Sequence, residues 1–376
     1  MLTCSRCSQI VEESSLAWRC SCGGAFEWSS PEPLRRAAIR RDEAGMWRYV
    51  SSLPVTSHSS RISMGEGGTP LVQAEWNGVP VFFKLDFLCP TGSYKDRGMS
   101  CVVSRLKELG VKEVVEDSSG NAGSSMAAYC AIAGIHCRIY VPDYASQAKC
   151  VQIESSGAEL VRVPGSREDT TLAAEEAARA SYYASHNWNP YFPHGVKTFA
   201  FEIWEQMGFQ APDAVLLPAG QGSLVLGCSL AFDELFASGE IERLPRLYAL
   251  QAENCSPLES AFRRGLPAPE PIEKRETIAE GISTAEPVRG GMVLDAVRKS
   301  GGAVLAYSER AIWEGFVKLA KIGLYVEPTS AIVGAALDDL EARGEIGEGE
   351  RVAVLLSGSG LKATDKIVSL YETPPA

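Results

Sequence analysis

The stretch that decides the fold runs from Val79 to Ser100 and reads "VPVFFKLDFLCPTGSYKDRGMS". Its first ten residues are apolar enough for a buried strand, and a Pro-Thr-Gly turn separates them from a helix predicted over 97–110. A single lysine, Lys95, stands at the junction. Apolar surroundings lower the pKa of a lysine amine and make it a better nucleophile, so Lys95 is a candidate for covalent chemistry.

From about residue 65 onward, the chain alternates between strand-like and helix-like segments. The predicted strands cover 111–118, 136–142, 158–165, 213–220, 246–253 and 351–360, and the predicted helices cover 121–134, 146–157 and 168–181. Short strands rich in Val, Leu and Ile, separated by helices, predict an α/β fold with a parallel sheet covered on both faces. Ligands on such sheets bind beyond the carboxyl ends of the strands, so we expect function in the loops that follow them. Residues 263–290 are rich in Pro and Glu and are predicted to be irregular.

Composition excludes several classes of function. The chain has 376 residues, 45% of them hydrophobic, which is enough for two or three domains. A net charge of −11 without a basic tract argues against nucleic acid and against an anionic membrane surface as partners. No apolar run approaches the ~20 residues that a membrane span needs, and the first residues lack an apolar signal core, so a cytoplasmic location is expected. Eleven cysteines, an odd number, argue against a secreted disulfide framework.

A glycine-rich loop follows one of the predicted strands. In "LLPAGQGSLVLG", residues 216–227, the strand enters Gly220, Gln221, Gly222 and Ser223, and a helix is predicted to begin there. Converging backbone amides and the partial positive charge of a helix start suit a phosphate. The loop lacks the lysine of a P-loop and does not match the dinucleotide fingerprint. A tight turn without a ligand is the alternative.

Two further strand ends carry small polar residues. "EDSSGNAGSSM", residues 116–126, supplies Ser118, Ser119, Gly120 and Asn121 ahead of a predicted helix. "VLLSGSGLK", residues 354–362, ends a buried strand in Ser357 and a Gly-Ser-Gly turn. Taken alone, the first is better explained as a helix start capped by Ser or Asn, and the second is explained as a turn that terminates a strand.

Taken in order, these motifs resemble the fold type II pyridoxal phosphate (PLP) enzymes, also called the tryptophan synthase β-family. Within that group, "PTGSYKDRG", "SSGNAG", "GQGSLVLG", "SGSGLK" and "GVKTFAFEI" (195–203) are most similar to segments of threonine synthases. The resemblance covers nearly the whole chain. It implies an α/β protein of two domains, each with an open, mostly parallel sheet flanked by helices. The predicted boundaries are 31–95 and 190–376 for a large PLP-binding domain, 96–189 for a small domain, and 1–30 for a zinc-ribbon-like segment.

The resemblance also assigns roles. Lys95 carries the cofactor as a Schiff base and, once freed by the substrate amine, removes the α proton as general base. Asn121 bonds the ring hydroxyl, and Ser357 faces the pyridine nitrogen. The cofactor phosphate is held by the amides of Gly220, Gln221, Gly222 and Ser223, and the substrate carboxylate by Ser118, Ser119 and Gly120. A neutral hydroxyl protonates the ring nitrogen poorly, so elimination or replacement at Cβ or Cγ is expected rather than transamination.

The implied reaction converts O-phosphohomoserine and water to threonine and phosphate, so the expected partner is a small amino-acid substrate; a homodimer is also implied. Threonine synthases usually carry Asn-Pro-x-Arg before the "GVKT" segment, but here Phe192 occupies the arginine position. Phenylalanine cannot make the bidentate contacts that arginine makes to a phosphate. His194 and Lys197 are candidate replacements.

Two other interpretations stay open at this point. One is a threonine synthase-like paralogue that performs β-replacement or β-elimination on phosphoserine, activated serine or serine/threonine, as a cysteate synthase or an ammonia-lyase does. The other is a non-catalytic homologue that keeps the fold without turnover, although the intact Lys95 argues against it.

Four cysteines cluster at the start of the chain. Cys4 and Cys7 form "CSRC", and Cys20 and Cys22 form "CSC", with twelve residues between the two motifs. Four thiolates on two short turns suit a tetrahedral structural zinc ion. The segment is similar to a small ribbon that precedes the catalytic domain in some threonine synthases, although its second pair is closer than usual. Reduced free thiols or a degenerate ribbon are the alternatives.

Overall fold

The computed structural model describes residues 1–29, 32–145 and 147–375. The strands of this part are β1 (Leu2–Cys4), β2 (Ile10–Val11), β3 (Phe26–Trp28), β4 (Leu71–Trp76), β5 (Val79–Lys84), β6 (Glu113–Glu116), β7 (His136–Pro142), β8 (Glu159–Val163), β9 (Tyr182–Tyr183), β10 (Ala214–Pro218), β11 (Arg246–Ala252), β12 (Ala303–Tyr307) and β13 (Val352–Leu355). The α-helices are α1 (Lys95–Glu108), α2 (Asn121–Ala133), α3 (Gln147–Ser155), α4 (Arg167–Ala177), α5 (Phe192–Val196), α6 (Thr198–Gln206), α7 (Ser223–Ala237), α8 (Pro257–Arg263), α9 (Gly290–Ser300), α10 (Glu309–Lys321), α11 (Pro328–Ala342) and α12 (Thr364–Glu372). None of the helices described here is long and apolar enough to cross a membrane.

Contacts within the chain define two compact units. Unit 1 comprises Met1–Pro33, Ala38–Glu66 and Lys95–Val196. Unit 2 comprises Leu34–Ala37, Gly67–Tyr94 and Lys197–Ala376. The three-part domain division drawn from the sequence stays a prediction.

Unit 1 is built on a four-stranded parallel sheet in the order β8-β7-β6-β9. Its central strands are fully buried at Val114, Val115, Ile139 and Val141, as expected for a parallel sheet covered on both faces. Helices α1 to α5 belong to this unit. A separate three-stranded antiparallel sheet, β2-β1-β3, is formed by the cysteine-rich start of the chain.

Unit 2 is built on a six-stranded sheet in the order β12-β11-β10-β13-β5-β4. All neighbouring pairs are parallel except β4 and β5, so the sheet is mixed at one edge. Every residue of β10 and β13 is buried, because these two strands lie in the middle of the sheet. Their adjacency brings their carboxyl ends to one edge, where the following loops meet.

The architecture confirms the predicted α/β class with mostly parallel sheets. Helix α1 begins at Lys95 rather than at residue 97, and it places Asp96 in its first turn, where a negative charge favours the helix dipole. The helix predicted over 146–157 begins on Ser146, which lies outside the described residues; α3 starts at Gln147. Between α8 and α9 the chain contains one short 3₁₀ helix, Glu280–Ile282, and is otherwise irregular as predicted.

Candidate active site

Lys95 is the first residue of α1 in unit 1 and is half-buried. Its Nζ lies 5.3 Å from the centroid of the Phe192 ring. The next residue, Asp96, accepts a hydrogen bond of 2.6 Å from the Ser125 hydroxyl, which lies in the second turn of α2. This buried contact joins the beginnings of α1 and α2, so the elements that carry Lys95 and Asn121 start side by side within the unit.

The Ser-Gly-Asn loop connects β6 to α2, and Asn121 is the first residue of the helix. Ser118 and Ser119 are half-buried, and Gly120 is exposed. Neither Ser nor Asn is the N-cap of α2, because that position is Gly120; the Gly120 amide donates to the Ser118 hydroxyl at 3.3 Å. Amides of an uncapped first turn suit an anionic group such as a carboxylate.

In unit 2, the glycine loop lies directly after β10, and α7 begins at Ser223. Gly222 is the N-cap with φ of +82°, and a Cβ there would lie 2.2 Å from Val293 Cγ2. Both the backbone angle and the close packing therefore require glycine. Gln221 is fixed by a 2.9 Å hydrogen bond from the Val288 amide to its side-chain oxygen. No side chain caps α7, so its first amides are suited to a phosphate.

Ser357 follows β13 and is buried at the same sheet edge as the glycine loop. Its hydroxyl lies 2.8 Å from Ser330 Oγ, which also accepts hydrogen bonds of 2.9 Å from the amides of Ser357 and Gly358. A neutral hydroxyl network therefore fixes Ser357. The Glu327 carboxylate packs against the next residue, because a Cβ on Gly358 would lie 2.3 Å from Glu327 Oε1.

Two residues that the sequence analysis passed over precede Lys95 directly. The Tyr94 hydroxyl lies 2.9 Å from Ser223 Oγ, and the Tyr94 amide donates to the Ser357 carbonyl oxygen at 2.9 Å. Ser93 forms an antiparallel bridge to Gly358. Their position inside the lysine motif, next to the candidate nucleophile, is the feature from which the sequence could have indicated that they belong to the site.

The structure offers a direct test of whether a polar cofactor fits unit 2. Ser93 Oγ is buried and has no hydrogen-bond partner in the part of the chain that the structure describes. Buried hydroxyls are nearly always hydrogen-bonded, so this atom indicates a polar group supplied from outside the chain. The uncapped start of α7 and the buried Ser357 hydroxyl lie at the same sheet edge, and these residues fit PLP.

The candidate replacements for the missing phosphate-binding arginine are engaged elsewhere. Phe192 itself is fully buried in unit 1. His194 is also buried and packs edge-on against Trp28, with ring centroids 4.7 Å apart. In unit 2, the buried Lys197 donates to Glu234 Oε1 at 2.5 Å. An ion pair of this kind satisfies the lysine charge, so Lys197 is not poised for a substrate phosphate.

A buried acid and a half-buried histidine meet next to the Ser-Gly-Asn loop. His186 Nδ1 lies 3.0 Å from Glu116 Oε1, and the His186 amide donates to Glu116 Oε2 at 3.2 Å. Burial and the neighbouring Asp117 charge raise the pKa of Glu116 well above its usual value. Burial and the positive charges of Lys95 and Arg167 lower the pKa of His186. Both directions favour a neutral acid beside a neutral imidazole.

The four N-terminal cysteines converge in unit 1. Their sulfur atoms all lie within 4.8 Å of one another, with 3.5 Å between Cys4 and Cys22 and 3.7 Å between Cys7 and Cys20. Tetrahedral zinc with Zn–S bonds of ~2.3 Å would space its sulfurs about 3.8 Å apart. The donor set therefore fits zinc.

Comparison with known proteins identifies the class. The profile of the family described as "Pyridoxal-phosphate dependent enzyme" matches residues 62–358. The fold agrees: the chain superposes with a TM-score of 0.70 on a fungal L-serine ammonia-lyase from Rhizomucor miehei, over 81% of this chain and 98% of that one, at 19% identity. The chain belongs to the pyridoxal-phosphate dependent enzymes.

Within this class, the similarity narrows to one group. The chain is 34% identical to a threonine synthase of Methanocaldococcus jannaschii and 31% identical to one of Methanosarcina acetivorans, each over 99% of this chain and 95% of the relative. It is thus a threonine synthase-like member of the fold type II enzymes. This confirms the predicted family, the predicted PLP cofactor and the prediction of a PLP-dependent lyase.

Proposed function

We propose that this protein is a threonine synthase, which converts O-phosphohomoserine and water to threonine and phosphate. The observation that supports this most strongly is full-length similarity to threonine synthases, together with the ordered placement of the lysine, asparagine, glycine-loop and serine motifs. The proposal includes a cytoplasmic homodimer, as the family resemblance implies. Light scattering of the purified protein tests the dimer.

The proposed roles are those that the family resemblance implies, and the positions of the residues support them. Lys95, at the start of α1, binds the cofactor covalently, and its Nζ takes the α proton of the substrate once the substrate amine has replaced it. Asn121 bonds the ring hydroxyl, and Ser118, Ser119 and Gly120 hold the substrate carboxylate at the uncapped start of α2. When bound, PLP withdraws electrons from the substrate Cα.

In unit 2, the amides of Gly220, Gln221, Gly222 and Ser223 hold the cofactor phosphate at the start of α7. Ser357 faces the pyridine nitrogen through a hydroxyl that Ser330 fixes. A hydroxyl does not hold a proton on the ring nitrogen as a carboxylate would. The arrangement thus favours loss of a leaving group over transamination.

We also propose that Cys4, Cys7, Cys20 and Cys22 hold a structural zinc ion. The spacing of the sulfurs supports this, as does Gly24: a Cβ there would lie 2.6 Å from Cys4 Sγ, so only glycine lets the turn close on the cluster. With four thiolates the coordination is complete, so no position is left open for catalysis.

The experiment is an assay of purified protein with O-phosphohomoserine that quantifies threonine and phosphate. Equal release of both supports the proposal, and Lys95→Ala should abolish it together with the yellow colour of the bound cofactor. Lys107→Ala is the matched control, because Lys107 is an exposed lysine on the same helix. Absence of turnover by the wild-type protein would contradict threonine synthase activity.

A second candidate is favoured by one observation: Phe192 is buried where threonine synthases usually have an arginine, while His194 and Lys197 are engaged elsewhere. That candidate is a paralogue acting on phosphoserine, activated serine or serine/threonine by β-replacement or β-elimination. The same protein preparation should therefore be tested with O-phosphoserine, L-serine and L-threonine, with phosphate, 2-oxo acid and ammonia as readouts. A higher kcat/KM for one of these than for O-phosphohomoserine would select the second candidate.

A further inference from the structure

The Phe192 ring is held rigidly beside Lys95. Phe192 is fully buried at the start of α5, and its ring packs on the backbone of α1 one turn after Lys95. The fit is close, because a Cβ on Gly98 would lie only 2.2 Å from Phe192 Cε2. Lys95 Nζ lies 5.3 Å from the ring centroid, within the range in which an aromatic face attracts an ammonium group.

The Phe192 ring also contacts an imidazole ring. The His186 ring meets Phe192 at 5.5 Å between centroids and at 62° between planes. His186 is hydrogen-bonded to the buried Glu116, and burial together with the positive charges of Lys95 and Arg167 lowers the pKa of His186, which favours the neutral imidazole. An ammonium at Lys95 is therefore the cation that this aromatic side chain is placed to stabilise.

We propose that Phe192 is a positioning residue that receives the Lys95 ammonium whenever Lys95 is not bonded to the cofactor. This inference rests on the proposed covalent role of Lys95. When a substrate amine took the place of Lys95 on a bound cofactor, the carbon–nitrogen bond to Lys95 would break as the bond to the substrate nitrogen formed. The proton released by the substrate ammonium would pass to Lys95, which would lie against the ring as an ammonium ion in the amino-acid complex; Lys95 would return that proton to water before its amine takes the α proton.

The Phe192 ring would stabilise the amino-acid complex, in which Lys95 is an ammonium ion, but not the resting state. In the resting protein Lys95 would be bonded to the cofactor, whereas in the amino-acid complex the substrate nitrogen would hold that bond instead. A contact made only in the second state increases apparent affinity for any amino acid, whatever its leaving group. An arginine at position 192 would instead repel the freed ammonium, which gives the substitution noted in the sequence a physical function.

The experiment titrates the cofactor-loaded protein with L-alanine, which has no leaving group, and follows the cofactor absorbance. Phe192→Leu should raise the apparent Kd about 3- to 30-fold, the range expected for a partly to fully desolvated cation–π contact. Phe192→Tyr retains an aromatic face and should stay within about twofold of wild type. Phe201→Leu is the matched control, because Phe201 is equally buried and lies 5.8 Å from a different lysine, Lys197. It should leave the Kd unchanged.

The outcomes separate this inference from the proposal on which it rests. An unchanged Kd in Phe192→Leu, or an equal rise in Phe201→Leu, would overturn the role of Phe192. Retention of the covalent cofactor by Lys95→Ala would instead overturn the role of Lys95. If Phe192→Leu does not fold, Phe192→Met keeps a similar volume without a ring and should give the same rise.

Discussion

The Tyr94 hydroxyl lies 2.9 Å from Ser223 Oγ, at the first turn of α7. The amide of the same tyrosine donates to the carbonyl oxygen of Ser357, the residue predicted to face the cofactor nitrogen. One residue of the lysine motif thus joins the glycine loop and the end of β13 within unit 2. Tyr94 is also the last residue of its segment of unit 2, so these contacts fix the end of that segment.

Replacing Tyr94 by phenylalanine tests this link. The substitution removes only the hydroxyl, so Ser223 loses its partner while the ring still packs. A neutral hydrogen bond contributes about 0.5–1.5 kcal/mol, and we therefore expect the Kd for PLP to rise about 2- to 12-fold. Absorbance titration of the cofactor-free protein measures it. Tyr307→Phe, which removes a 2.9 Å bond to Asp339 elsewhere in unit 2, should not change the Kd. Equal affinity in both variants would show that the Tyr94 hydroxyl does not support the cofactor site.

Ser357→Asp tests the neutral partner of the ring nitrogen. A carboxylate there would hold a proton on the ring and stabilise the electron-rich form of the cofactor, so we expect more transamination relative to the main reaction. The new charge would also be buried near Glu327, and we expect a loss of stability of about 1–3 kcal/mol. Quantifying the 2-oxo acid and aminated cofactor per turnover measures the first effect. Ser359→Asp, with the same charge two residues away, should leave the product ratio unchanged; an unchanged ratio in Ser357→Asp as well would reject the assignment.

Local chemistry predicted the strand ends and the glycine loop, because these depend on residues close together in sequence. Gly222 is an example, since its positive φ belongs to the turn itself. The contacts of Tyr94 with Ser223 and of Lys197 with Glu234 were not predictable, because each joins residues that are distant in the chain. A single sequence gives the type of residue at each end of such a contact, but not which ends meet. The same limit applies to Phe192: the sequence showed the missing arginine, and only packing showed the lysine beside the ring.

Cys4→Ser tests the proposed zinc site. The wild-type protein should contain about one zinc ion per chain, because four thiolates complete a tetrahedral shell. The variant should lose the metal and unfold at lower temperature, since binding energy at a structural site contributes directly to folding. Elemental analysis and thermal unfolding measure the two effects. Cys137→Ala, at a buried cysteine outside the cluster, should keep the metal. Equal zinc content in Cys4→Ser and wild type would eliminate the site.

The two glutamates at the ends of β6 should respond to pH in opposite directions. Burial and Asp117 raise the pKa of Glu116, so the folded protein holds a proton there that the unfolded chain releases above pH 4.5. The contribution of Glu116 to stability therefore falls as pH rises. The Ser181 hydroxyl and Arg138 lower the pKa of Glu113, so its contribution is present above pH 4.5 and is lost as pH falls.

The variants Glu116→Gln and Glu113→Gln test these opposite pH dependences of stability. Denaturant unfolding between about pH 3 and pH 8 gives the free energy of unfolding of each variant relative to wild type. The free energy of unfolding of Glu116→Gln should increase relative to that of wild type as pH rises, with a slope of at most about 1.4 kcal/mol per pH unit for one proton. The free energy of unfolding of Glu113→Gln should show no such increase. Its deficit relative to wild type should shrink only toward pH 4 and below, where wild type loses the contribution of Glu113. If Glu116 and His186 formed an ion pair instead, the pKa of Glu116 would be lowered, and both variants would follow the pattern of Glu113→Gln. An increase confined to Glu116→Gln therefore distinguishes a neutral pair next to the Ser-Gly-Asn loop from a charged one.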